Sequence, residues 1–394
     1  MISRCRAIPK IQLSASSIAE LLRKQRDQTS SLVAKRSNFI MEQQPKRLGP
    51  LESAELVSSQ SKDVTILLDG VQSLADKLEK LISSQSYSLK SWKQHTLHPQ
   101  AMDRTTVDWI FFIDLMNFSF WSDDPCVDYS VEYGGEDHID YWALCSVVRR
   151  AIDEGIPLLS AEYLAKMSID DVRHVFRSSS SAELSQLETR QQHLNTAGKV
   201  LMEKFNGSFS YCVESCGHSA RLLRELIVAN FPSFRDEADF NGTPCAFYKR
   251  AQILIADLWA CFENKSFGRF EDIDCITMFA DYRVPQVLLH HGVLQYSESL
   301  MSHLRERRLV EVGHRWELEI RAATIWSVEL VRRELVKRRD GQPLVVDSAD
   351  AAVSQIFPLN GIMIDFYLWD SAEDLNLNDQ SLDFPMHRTR TIFY

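Results

Sequence analysis

Apolar and polar residues alternate along most of this chain with helical spacing. Residues three and four apart share a helix face. That spacing predicts helices over about 142–154, 183–206, 218–229, 246–264, 285–291, 297–307, 316–338 and 349–370. In the first of these, Leu144, Val147, Val148, Ala151 and Ile152 lie on one side, and Gly155 and Pro157 stop the helix. Ser168, with Asp171 three residues on, predicts a capping box for a further helix. Gly207, Gly268 and Gly292 stand where stops are expected. One β-hairpin is predicted: Val127–Tyr133 alternates, Gly134-Gly135 turns, and Asp137–Tyr141 returns. The fold class is therefore mainly α with a small β-hairpin.

The densest apolar stretch is Trp109–Trp121, WIFFIDLMNFSFW, with Asp114 and Asn117 in its middle. If it is helical throughout, Asp114, Asn117, Phe118 and Trp121 face the same way. A carboxylate, an amide and two rings on one surface suit a pocket for a flat, polar ligand. The alternative is a core helix whose Asp114 is paired internally. Burying even a neutral polar group unpaired costs roughly 2–7 kcal/mol. Asp114 therefore needs a partner in the protein or in a ligand.

With 394 residues, the chain has room for one large domain or two or three smaller ones. No run is long and apolar enough to span a bilayer. Its eight cysteines are scattered, and the Cys212–Cys216 step matches neither a zinc layout nor a disulfide framework. Reduced thiols and a cytoplasmic setting are expected. Residues 1–50 hold ten basic and three acidic residues, and the remainder holds 34 basic and 51 acidic ones. A body this acidic is a poor polyanion binder, because phosphate neutralisation supplies most non-specific nucleic-acid affinity. The Arg- and Ser-rich residues 1–48 read either as a disordered extension or as a mitochondrial presequence. No glycine-rich phosphate loop is present. Adjacent His290 and His291 do not make a metal site, Cys145 reads as an inert core thiol, and DFYLWD (Asp365–Asp370) reads as the end of a core helix.

Lys249 lies early in a predicted helix, and Asp281 lies just before the helix entered at Pro285. Spacing alone leaves Asp281 a helix cap and Lys249 a surface cation.

The order of longer blocks adds to this reading. WIFFIDLMNFSFW is followed by YWALCSVVRRAIDEGIPL (Tyr141–Leu158), GKVLMEKFNGSF (Gly198–Phe209), FPSFRD (Phe231–Asp236), FYKRAQILIADLW (Phe247–Trp259) and ITMFADYRVPQVL (Ile276–Leu288). Then come EIRAATIWSVEL (Glu319–Leu330), DFYLWD and PMHRTRTIFY (Pro385–Tyr394). Over roughly residues 49–394 the chain resembles the queuosine salvage family, the queuosine 5′-phosphate N-glycosylases. The resemblance implies a helical domain similar to helix-hairpin-helix DNA glycosylases, and hydrolysis of queuosine 5′-monophosphate to queuine, which feeds tRNA modification. It places the catalytic roles on Asp281 and Lys249. Asp114, Asn117, Phe118, Trp121 and Tyr282 become candidates for the base. Arg283, Arg321, His387 and Arg388, besides Lys249, become candidates for the 5′-phosphate. A helix-surface pair with Glu317 is the plainer reading of Arg321. The implied partner is this small nucleotide, with no metal, cofactor, membrane or stable nucleic-acid partner. The segment Asn264–Thr277 departs from the glycine-rich hairpin of true DNA glycosylases, which speaks against duplex binding.

Because residues 1–48 differ in composition and lie outside these blocks, deleting residues 1–44 is expected to leave melting temperature and turnover essentially unchanged. A soluble truncate that melts well below the full chain, by circular dichroism, would show that the extension packs on the domain.

Overall fold

The structure is a computed structural model that describes residues 47–83, 89–122, 124, 127–338, 344–346, 355–357, 359–375, 377 and 381–394. The extension expected over 1–48 lies almost wholly outside the described residues. Leu48–Tyr394 forms one compact unit.

The helices are α1 (Pro50–Ser59), α2 (Leu68–Ser83), α3 (Arg104–Met116), α4 (Asp140–Asp153), α5 (Ala161–Leu164), α6 (Ile169–Val175) and α7 (Leu187–Lys204). They continue with α8 (Ser210–Ser215), α9 (Ala220–Asn230), α10 (Lys249–Cys261), α11 (Val284–His290), α12 (Glu298–Arg305), α13 (Arg315–Arg338) and α14 (Gly361–Asp374). Four small antiparallel pairs join them: β1 (Val64–Ile66) with β6 (Leu294–Tyr296), β2 (Ser130–Tyr133) with β3 (Glu136–Ile139), β4 (Glu237–Phe240) with β5 (Thr243–Ala246), and β7 (Leu344–Val346) with β8 (Gln355–Phe357). The long α13 packs on α1, α2 and α14, while α10 packs on α3 and α9. One continuous apolar core runs through these contacts.

Most predicted helices are present with shifted ends. Ser168 and Asp171 make the expected capping box of α6. The predicted hairpin occurs, with Ser130 opposite Ile139 and Tyr133 opposite Glu136. A second hairpin, β4–β5, turns at Asn241-Gly242, a strong turn signal that the helical reading passed over. The helix expected over 349–370 needs correction. Residues 355–357 are strand, and the helix starts at Gly361 behind the Asn360 cap.

The stretch Trp109–Trp121 is helical only to Met116. Asn117 leaves the helix, and Ser119 takes a positive φ of 50°. The last carbonyls of α3 find two buried arginines. Arg190 donates to the Met116 carbonyl at 2.7 Å, and Arg250 to that of Leu115 at 2.6 Å. Cations at a helix C-terminus satisfy its free carbonyls and its dipole. The irregular segment Phe118–Trp121 then meets the C-terminal tail, where the Ser119 N–H donates to the Tyr394 carbonyl at 2.9 Å. Phe118 and Trp121 therefore do not continue the face of Asp114.

Gly198 marks a close contact between two helices. A Cβ there would lie 2.4 Å from the Ala165 nitrogen and 2.6 Å from the Ala161 carbonyl oxygen, so α7 lies directly on the backbone of α5.

Candidate functional site

A cavity of about 460 Å³ opens between the start of α10, the start of α11, α14 and the turn at Leu89–Gln94. Residues i, i+4 and i+8 of one helix share a face, and Lys249, Ile253 and Asp257 of α10 all line it. One side is aromatic, with Trp92, His95, His98, Tyr141, Trp142 and Trp369. Trp92 stacks on His98 at 4.0 Å, and His95 on Trp142 at 3.5 Å. His98 Nδ1 donates to the Trp92 carbonyl at 2.5 Å, which leaves Nε2 to accept from the Tyr141 hydroxyl at 2.9 Å. Burial lowers the His98 pKa to about 4, so the ring is neutral in this role. The lining also includes Asn117, Phe120, Asp281, Tyr282, Arg283 and Tyr394.

Asp281 is both a cap and a cavity residue. Its Oδ1 accepts from the Arg283 and Val284 N–H groups, each at 2.9 Å, at the entry to α11. Among the described residues no donor meets Oδ2. Lys249 is the first residue of α10, entered through Tyr248 at a φ of 51°. Its backbone N–H donates to Asp236 Oδ2 at 3.0 Å. Its ammonium is buried and, among the described residues, has no hydrogen-bond partner. Burial lowers the Lys249 pKa, while Asp281, Asp114 and Asp365 act to raise it.

Those carboxylates surround the one lysine. Asp114 is fully buried and does not line the cavity; Asn117 Nδ2 donates to its Oδ1 at 3.3 Å, and its Oδ2 has no partner among the described residues. Burial and the nearby Asp257 push its pKa well above the usual carboxylate range. Asp365 accepts from the Phe279 N–H at 3.0 Å, and burial together with Asp281 raises it too. Asp257 accepts from Trp92 Nε1 at 3.1 Å, and burial raises it to about 7.

Several sequence candidates stand elsewhere. Phe118 is sealed in the core beneath the Arg190 and Arg250 guanidinium groups. Trp121 carries the tail arginines Arg388 and Arg390 on its ring, at 4.7 and 3.4 Å. Arg388 donates to the Ser122 carbonyl at 2.8 Å. His387 is buried against Tyr394, neither ring nitrogen is bonded among the described residues, and burial lowers its pKa to about 3. None of these four lines the cavity.

Arg321 is likewise committed inside the protein. It meets Asp236 at 2.9 and 2.5 Å and Glu317 at 3.2 Å, with all three side chains buried. Burial alone would lower its pKa, but the two carboxylates hold it above the usual arginine value. The surface pair expected with Glu317 is thus a core pair. Of the proposed phosphate cations, Lys249 and Arg283 line the cavity. Arg283 bridges Asp140 at 3.4 Å and Glu373 at 2.8 Å.

The sequence reading did not single out the aromatic wall, Asp257, Phe366 or Asp370. The i, i+4, i+8 spacing from Lys249 was the available signal for Asp257. For DFYLWD the spacing of Phe366, Trp369, Asp370 and Glu373 on one face of α14 was the signal.

Residues 97–394 match the family model described as queuosine salvage protein. A Nematostella vectensis protein named queuosine 5′-phosphate N-glycosylase/hydrolase is 44% identical over 345 residues, spanning 88% of this chain and 98% of its own length. Proteins of the same name from Mus musculus and Schizosaccharomyces pombe are 42% and 36% identical. Their alignments cover 88% and 87% of this chain and 99% of each relative.

Arg321→Ala is expected to destabilise the fold by about 3–5 kcal/mol, since it strands Asp236 and Glu317 without their cation. Urea denaturation measures this. Wild-type stability combined with weaker binding of a phosphorylated ligand would instead make Arg321 a ligand contact.

Proposed function

The chain belongs to the queuosine salvage protein family, and we propose that it hydrolyses the N-glycosidic bond of queuosine 5′-monophosphate within the cavity beside Asp281 and Lys249. The products are queuine, available for tRNA modification, and ribose 5-phosphate. The observation that carries this reading is the half-engaged Asp281. One oxygen is fixed by two backbone N–H groups, the other meets no donor among the described residues, and the residue lines the cavity.

The chemistry follows from that geometry. Departure of the base leaves positive charge on the sugar, as in other glycoside cleavages. A carboxylate already oriented by the backbone stabilises that charge without reorganising. It also receives a proton from the attacking water. Lys249, whose ammonium has no hydrogen-bond partner among the described residues, attracts the carboxylates around it and meets the substrate's oxygens. The aromatic wall offers faces for a flat base, with Asn117 and Tyr282 near its polar edge. Arg283, although paired with Asp140 and Glu373, lines the cavity and is the arginine placed for the 5′-phosphate, because Arg321, His387 and Arg388 do not line it.

A lysine opening α10 and an aspartate opening α11 support the likeness to helix-hairpin-helix glycosylases. The connection between them contains two short 3₁₀ turns, Ser266–Gly268 and Ile273–Cys275, with Gly268 its only glycine. With the acidic body, this favours a mononucleotide over duplex DNA or tRNA. Among the described residues no helix is long and apolar enough to cross a membrane. Free cysteines such as Cys145 and Cys212 support a reducing, cytoplasmic setting.

Asp281→Asn is expected to leave the fold intact and cut turnover by at least about 100-fold. Release of queuine from queuosine 5′-monophosphate, followed chromatographically, is the assay. Near-normal turnover in a folded variant would remove Asp281 from the mechanism.

The phosphate is expected to aid catalysis by positioning the sugar beside Asp281. Queuosine lacking it should lose kcat/KM by more than about 100-fold, or roughly 2.7 kcal/mol. Similar kcat/KM for nucleoside and 5′-nucleotide would return Arg283 to a structural role.

A further inference from the structure

Resting on the N-glycosylase reading, we propose that Asp257 is a second catalytic carboxyl group, which protonates the departing base while Asp281 receives the proton of the attacking water. The leaving group sets the need. A 7-deazaguanine has carbon at position 7, so it has no nitrogen there to be protonated before cleavage. The electron pair of the broken C–N bond must be neutralised by another proton.

Asp257 is placed to supply it. It lies two helical turns beyond Lys249 on the cavity face of α10. Its Oδ1 is anchored by Trp92 Nε1, which belongs to the aromatic wall. Among the described residues no hydrogen bond engages Oδ2, nor is that oxygen a sealed, unpartnered atom. It therefore opens on the cavity, at the side where a flat base would stack. Asp281 lines the same cavity from the entry to α11, beside Tyr282 and Arg283. The two carboxyl groups thus reach the cavity from two different helices, Asp257 from α10 and Asp281 from the start of α11.

The surroundings keep the proton on Asp257. Burial raises Asp257, and its charge in turn adds to the burial that raises Asp114 of α3 and Asp365 of α14. Tyr141 and Cys145 of α4 and Cys261 of α10 feel the Asp257 charge, and burial pushes each toward its neutral form. His98 is neutral. Lys249 is the one cation acting on Asp257, and with Trp92 it opposes the upward push of burial, which leaves the group at about 7. Of the carboxyl groups in this cluster, Asp257 is therefore the one poised to exchange a proton near neutrality.

The step balances. The C1′–N bond breaks, and its electron pair takes the Asp257 proton, giving neutral base. Water adds to C1′ and passes a proton to the Asp281 carboxylate. Exchange with solvent returns Asp257 to the acid and Asp281 to the carboxylate.

Two substrates separate the roles. Asp257→Asn is expected to lose at least about 100-fold in turnover of queuosine 5′-monophosphate. It should stay within a few-fold of wild type on 4-nitrophenyl ribofuranoside 5-phosphate, whose leaving group departs without a proton. Asp281→Asn should lose activity on both. Wild-type kcat should fall as pH rises past about 7, and this limb should vanish in Asp257→Asn. Trp92→Phe removes a hydrogen bond that favours the charged form, so its limb should move to higher pH. That shift decides the matter if Asp257→Asn fails to fold. Equal losses on both substrates, no loss at all, or an unmoved limb in Trp92→Phe would overturn the proposal for Asp257 while leaving the glycosylase reading standing. A wild-type enzyme inactive on queuosine 5′-monophosphate would overturn both.

Discussion

The buried pairing of Arg321 with Asp236 is the interaction on which the site depends. Arg321 belongs to α13, the long helix against which α1, α2 and α14 pack. Asp236 ends the FPSFRD segment, receives two guanidinium N–H groups, and accepts the first N–H of α10. One carboxylate thereby ties the central helix to the helix that presents Lys249, Ile253 and Asp257. Glu317 completes the charge balance, and the Tyr394 hydroxyl donates to it at 3.0 Å, which brings the C-terminal tail into the same network. Burying such charges is costly, and a well-packed apolar replacement is often as stable. Its value here lies in direction: a bidentate pair fixes orientation as well as distance.

A second constraint is the excess of acids over bases at the centre. Lys249 faces Asp281, Asp114 and Asp365, and Asp257 lies further along the same helix. Like charges in a dry interior cannot all ionise. Burial drives Asp114 and Asp365 toward the neutral acid. Asp281 stands apart in geometry, half-buried and fixed by two backbone donors.

What could be read in the sequence follows the range of the forces involved. Helices with regular stripes, the capping box of α6 and the Gly134-Gly135 hairpin are local events, and they were legible. So were the chain positions of Lys249 and Asp281, each at a helix start. The partners of Arg321 were half legible: Glu317 lies one turn away, whereas Asp236 is remote in sequence. The end of α3 was not legible, because Arg190 and Arg250 capture its carbonyls from other helices. Phe118 and Trp121 were placed on the wrong face for that reason. The aromatic wall escaped notice because Trp92, His98, Trp142 and Trp369 are scattered along the chain and become neighbours only in the packed molecule. The tail arginines were ambiguous until the aromatic ring beneath them, Trp121, was in view.

The cavity draws its walls from residues 92–142, 249–283 and 366–394. No one segment of the chain contains it, so it exists only when the whole body is folded. Contacts between such distant segments are slow to form, since loop closure precedes any gain from them. A molecule seated there bridges all three segments and binds only the native chain. At a concentration a hundredfold above its Kd, such a molecule adds about 2.7 kcal/mol to folding stability. Because proteases act on opened chains, occupancy of the cavity would slow proteolysis of this chain as well as stabilise its fold.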